Sequence, residues 1–112
     1  MPPVERIAVE LYLTGEGQCP YRDWFDGLRD GVTRDRIDAR LARLRLGNLG
    51  DHRELGDGVW ELRMFFGPGY RIYFTWRGKR VVILLAGGSK GTQRQDIRKA
   101  REYLKELQER EP

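Results

Sequence analysis

The sequence is poor in the residues that build covalent and metal sites. Cys19 is the only cysteine, so no disulfide can form within the chain. His52 is the only histidine, and one thiol with one imidazole gives too few soft ligands for a structural zinc site. No apolar run approaches the ~20 residues that a membrane-spanning helix needs. The opening residues, MPPVERIAVE, lack the basic start and apolar block of a secretory signal. Low-complexity segments and internal repeats are also missing. Together these absences lead us to expect a cytoplasmic protein with no metal, no cofactor and no membrane partner.

What the sequence has in quantity is charge. Charged residues are 34% and hydrophobic residues 39% of the 112, which suits one compact domain over 1–112 with a heavily charged surface. Lys plus Arg number 21 against 17 Asp plus Glu, a net charge of +4. An excess of that size permits a polyanionic partner without requiring one. Most of the cations are arginine, whose planar fork matches phosphate oxygens. A solvated Arg-rich surface would give the same composition.

Hydrophobic periodicity supplies the elements. Residues 4–13, VERIAVELYL, alternate as a half-buried strand, with Ile7, Val9, Leu11 and Leu13 on one face. Pro20 opens a short helix, PYRDWFDGLRDG, which Gly31 ends. Thr33 is the expected cap of a second helix, RDRIDARLARLRL. There Ile37, Leu41 and Leu44 form one stripe, and Arg36, Arg40 and Arg43 flank it. Gly47, Gly50 and Asp57-Gly58 mark a loop. Strands are expected over 59–66, 70–77 and 80–86. The last of these is apolar without alternation, as a central, doubly covered strand would be. Thr92 and Gln95 form a capping box for a final helix whose stripe is Ile97, Ala100, Leu104 and Leu107. The sum is an α+β fold. It has a small antiparallel-rich sheet with an N-terminal strand, two helices, a three-strand meander and a C-terminal helix.

The hairpin WELRMFFGPGYRIYF places the candidate chemistry. Trp60, Leu62, Met64 and Phe66 share parity with Tyr70, Ile72, Phe74 and Trp76. A three-residue connection, Gly67-Pro68-Gly69, would bring these even faces together with Phe66 opposite Tyr70. Arg63 would then oppose Tyr73, with Arg71 diagonal to it, on a face away from the core. One reading of that face is ordinary polar-out alternation in which Glu61 pairs an arginine. The other is a cradle for an anion. Lys90 stands at the start of the last helix, where unbonded amides and the helix dipole favour anions. Glycines 87, 88 and 91 would let backbone approach a ligand there.

WELR, GPGYRIYF and LLAGGSKGTQRQDIRKA together resemble the RelE/ParE toxin superfamily. More narrowly they resemble its HigB-like "addiction module killer protein" branch. DWFDGLRD and the basic second helix extend the resemblance over most of the chain. It implies the toxin of a type II toxin–antitoxin pair, inhibited by a cognate antitoxin encoded beside it, of helix-turn-helix type. It implies a metal-independent endoribonuclease that cuts mRNA on the ribosome by 2′-OH attack, leaving a cyclic phosphate. By position it assigns phosphate stabilisation to Arg71, with Arg63 and Lys90 as basic partners and Glu61 as a base or a tuner of Arg63. RNA contacts would come from Tyr73, Arg36, Arg40, Arg43 and Thr92. The superfamily's tyrosine in the final segment has no counterpart, since Gln95 and Asp96 stand nearest and Tyr103 lies two turns on. His52 is a further candidate. The resemblance also implies an alternative, because ParE relatives act on DNA gyrase and cut no RNA. A non-catalytic domain that binds nucleic acid or protein through its basic helix is a third reading. A Ser89–His52 hydrolase would lack a nucleophile elbow.

Overall fold

The computed structural model describes residues 6–111. The elements are β1 (Ala8–Leu11), α1 (Pro20–Asp26), α2 (Gly31–Arg45), β2 (His52–Gly56), β3 (Val59–Arg63), β4 (Tyr70–Arg77), β5 (Val81–Ser89), a 3₁₀ turn (Lys90–Thr92) and α3 (Gln93–Arg110). The five strands form one sheet in the order β1-β5-β4-β3-β2. β1 is parallel to β5, and every other pairing is antiparallel. The expected α+β class, with an N-terminal strand and a C-terminal helix, is the observed one. Positions 4 and 5 of the expected first strand lie outside the described residues.

The sheet is covered on both faces. Ile72, Phe74, Leu62 and Met64 join Ile37, Leu41 and Leu44 of α2 and Tyr21 and Phe25 of α1 in one core. Val59, Tyr73, Ile83 and Leu85 join Ala100, Leu104 and Leu107 of α3 in a second. The odd-numbered face of the hairpin is therefore not the solvent face that alternation suggests. α3 lies on it, and Glu61, Arg71, Tyr73 and Thr75 are all buried. The register shifts between Tyr73 and Phe74, so that Leu85 and Ala86 both face the second core. That bulge, with cover on both sides, accounts for the lack of alternation in RVVILLA.

Several local expectations change. α1 stops at Asp26, with Gly27 as its C-cap, four residues before Gly31. Asp30, not Thr33, caps α2: its carboxylate accepts from the Val32 amide at 3.0 Å and from the Thr33 hydroxyl at 2.9 Å. Ser89 and Thr92 form the capping box expected of Thr92 and Gln95. Leu13 is exposed, while Tyr12 enters the second core. β2 replaces an expected loop. It pairs with β3 through Asp57-Gly58, both at positive φ (56° and 85°), the two-residue turn that Asp-Gly favours.

Candidate nucleic-acid interface at the hairpin tip

β3 and β4 pair with Trp60 opposite Phe74 and Arg63 opposite Arg71. The expected partner of Arg63 was Tyr73, which instead faces Glu61. Ladder bonding ends where the Met64 amide meets the Tyr70 carbonyl at 3.0 Å, and the Gly69 amide returns to the Phe66 carbonyl at 3.1 Å. The connection thus spans Phe65 to Gly69. Lengthening it by two residues preserves parity, so each side chain keeps its face although its partner changes.

Two arginines directly across a ladder repel one another, and each has a carboxylate to offset this. Arg63 pairs with Asp51 at 3.1 Å. Arg71 lies 4.0 Å from Glu61, and its Nη1 donates to the Tyr70 carbonyl at 3.2 Å. Phe65 sits between them, 5.6 Å from the Arg63 guanidinium and 6.0 Å from that of Arg71. It is 73% exposed, the most exposed large hydrophobic among the described residues. It lies in the connection beyond the last ladder pair, Arg63 opposite Arg71, and joins neither core.

Two basic surfaces flank Phe65. On one side a pocket of about 310 Å³ is lined by Arg36, Arg40, Arg43, Arg63, Phe65 and Phe66, with Asp51 its single carboxylate. The Arg36 guanidinium lies 3.9 Å over the Phe66 ring. Helix and hairpin thus bring together arginines that are far apart in sequence. On the other side the Lys90 amide donates to the Gly69 carbonyl at 2.8 Å, tying the hairpin turn to the start of the last helix. A Cβ at Gly69 would lie 3.3 Å from the Lys90 Cβ and 3.5 Å from Arg71 Nη1. The base of the Lys90 side chain and the Arg71 guanidinium therefore both border Gly69, whose φ is +78°.

Other candidates are placed differently. Arg40 is only 7% exposed, and its guanidinium donates to the carbonyls of Arg63, Leu49 and Asp51, each at 2.8 Å. Burial and the neighbouring Arg43 push its pKa down. It staples the loop to β3 and has little left for RNA. Tyr73 is fully enclosed in the second core and cannot stack on a base. Burial, then the Glu61 and Asp96 carboxylates, raise its phenol well above the ordinary value. Glu61 is also fully buried. It accepts from Arg53 Nε at 3.0 Å and Gln93 Nε2 at 2.8 Å, so it lies behind Arg71 and out of reach of a substrate.

The Gly87-Gly88 pair serves packing rather than a ligand. A Cβ on Gly87 would overlap the Trp24 ring, and one on Gly88 would overlap the Asp96 carboxylate. Gly88 is the cross-strand partner of Arg71, so Asp96 is held on Arg71's face of the sheet. The Thr92 hydroxyl donates to Asp96 and accepts from the Ser89 amide. Asp96 is half-buried, which leaves it partly open to solvent. The sequence left Asp96 without a role, and the adjacent glycines were the signal for its position.

His52 stacks on Trp60 with ring centroids 6.0 Å apart and bonds the Gly50 carbonyl through Nδ1 at 2.8 Å, on the edge strand. Two strands separate it from Ser89, so these residues form no hydrolase pair. Tyr103 stacks on Tyr12 at 5.3 Å, within the second core. Among the described residues no group of three His, Cys, Asp or Glu side chains could hold a metal ion. No helix among them is long and apolar enough to cross a membrane.

Comparison with known proteins matches residues 23–108 to the family described as "Phage derived protein Gp49-like (DUF891)". That stretch includes α2, the hairpin, Lys90 and most of α3. An uncharacterized protein of Haemophilus influenzae is 40% identical over 87 residues, which cover 78% of this chain and 88% of that protein.

Proposed function

The chain belongs to the phage-derived Gp49-like family, a family of RelE/ParE-like addiction-module toxins, and from that premise we propose that it is a toxin that cuts messenger RNA on the ribosome. A cognate antitoxin is the partner such a family implies. The observation that carries the nuclease reading is the exposed Phe65 ring set between the guanidinium groups of Arg63 and Arg71. Single-stranded nucleic acid is gripped by aromatic platforms beside cationic tracks, because every base has a face to stack and every linkage a charge.

In this proposal a base stacks on Phe65 while Arg36, Arg43 and Arg63 follow the backbone. Arg71 and Lys90 face the scissile phosphate. The 2′-oxygen attacks phosphorus, the bond to the 5′-oxygen breaks, and a cyclic phosphate and a 5′-hydroxyl result. Arg71 is 6% exposed, and its Nε has no hydrogen-bond partner among the described residues. A guanidinium held in place and shielded from water stabilises phosphorane charge with little reorganisation. Asp96 takes the 2′-OH proton, and Lys90 gives one to the leaving oxygen. Glu61, fixed by Arg53 and Gln93, positions Arg71 from behind.

Expression with and without Arg71→Ala tests this. Wild type should arrest growth and cleave mRNA in a translation extract, and the variant should do neither. Arrest with intact mRNA and accumulating DNA breaks would instead favour the gyrase-directed alternative. Harmless expression of wild type without antitoxin would favour a plain binding domain.

A further inference from the structure

A further basic surface lies on the other face of the sheet from the Arg36 pocket. Between β2 and α3 runs a groove of about 660 Å³, lined by Arg53, Arg94, Arg98, Arg101 and Lys105, with Gln93, Ile97 and Glu102. Five cations face one carboxylate. Arg94, Arg98 and Lys105 are exposed and form no ion pair among the described residues. Arg101 is fixed by the Leu55 carbonyl at 2.7 Å and lies 3.8 Å from Asp57.

We propose that this groove docks an acidic, amphipathic segment of a protein partner. Charge complementarity identifies the sign of the occupant. The floor identifies its class. Ile97 and the aliphatic stems of the arginines offer apolar surface, but no aromatic ring lines the groove on which a base could stack. The hairpin pocket, by contrast, has Phe65 and Phe66. A peptide with leucine-like side chains on one face and carboxylates on the other satisfies both the floor and the rim. The antitoxin is the natural source of such a segment. That attribution rests on the toxin reading, while the groove's chemistry does not.

The groove also touches the hairpin site from behind. Arg53 and Gln93 line it and are the two residues that hold the buried Glu61 carboxylate. An occupant's carboxylate would compete with Glu61 for Arg53. Glu61 lies 4.0 Å from Arg71, so docking would be felt at the phosphate-facing arginine without covering it.

The test uses the full chain and three labelled probes: a 15-residue Leu/Glu amphipathic peptide, its Leu/Lys twin and a 10-nucleotide RNA. Nuclear magnetic resonance titration should place the acidic peptide's shifts on Gln93, Ile97 and Arg101, and the Lys twin should not bind. Arg98→Glu with Lys105→Glu should weaken the acidic peptide about tenfold or more and leave RNA affinity unchanged. Arg36→Glu with Arg43→Glu should do the reverse. Equal binding of both peptides, peptide shifts elsewhere, or RNA weakened by the Arg98/Lys105 pair would overturn the proposal. None of these outcomes depends on RNA cleavage, so the docking groove and the nuclease stand or fall separately.

Discussion

Arg36, Arg40 and Arg43 occupy equivalent positions on one helix, yet the middle one faces backbone carbonyls and its neighbours face solvent. Arg40→Ala would remove the donor to the Leu49, Arg63 and Asp51 carbonyls, of which Asp51 keeps the Arg63 amide, and should cost about 2–4 kcal/mol of stability in urea unfolding. Arg36→Ala and Arg43→Ala should stay within about 0.5 kcal/mol of wild type while weakening RNA binding. Phe65→Ala removes a side chain that neither core uses, so stability should hold while RNA affinity falls by about 1–3 kcal/mol. Gly88→Ala would drive a methyl group into Asp96, and should cost about 1–3 kcal/mol with loss of cleavage. The pairing of Arg63 and Arg71 on one hairpin face was legible as parity. Which rings stay exposed was not, because the connection is two residues longer than expected and takes Phe65 out of the ladder altogether.

At the scale of elements, pattern located both long helices and the strand Tyr70–Arg77, since each has an apolar stripe or alternation of its own. β2 escaped because HRELG is exposed along nearly its whole length and contributes only Leu55 to a core. Its one sequence signal was Asp57-Gly58, legible as a hairpin turn rather than a loop. The buried fate of Tyr73 and Glu61 escaped for a different reason. Alternation reports that a strand has two faces, and it does not report that a later helix will cover the second. The apolar stripe of α3 is the cover, and Leu104→Ala should cost about 2–4 kcal/mol, as for other leucines truncated inside a core.

For the whole molecule, the buried phenols set an alkaline limit. Burial, then Asp38 beside Tyr21 and Glu61 beside Tyr73, raises both pKa values above the ordinary 10.0. The folded state therefore holds these protons more tightly than the unfolded chain. Their contribution is complete below pH ~10 and is lost as pH rises beyond it, because the unfolded phenols ionise first. Denaturant melts from pH 8 to 11 should show stability falling at the upper end, with Tyr73→Phe flattening the fall. The parallel pairing of Ala8 with Val81 has a consequence in time. During synthesis the first strand emerges long before the strand that receives it, and at roughly 5–20 residues per second the wait lasts seconds. The turn beside Lys90 is anchored later still. A nascent copy thus has an unclosed sheet and an untethered hairpin tip until residues 81–90 have been made.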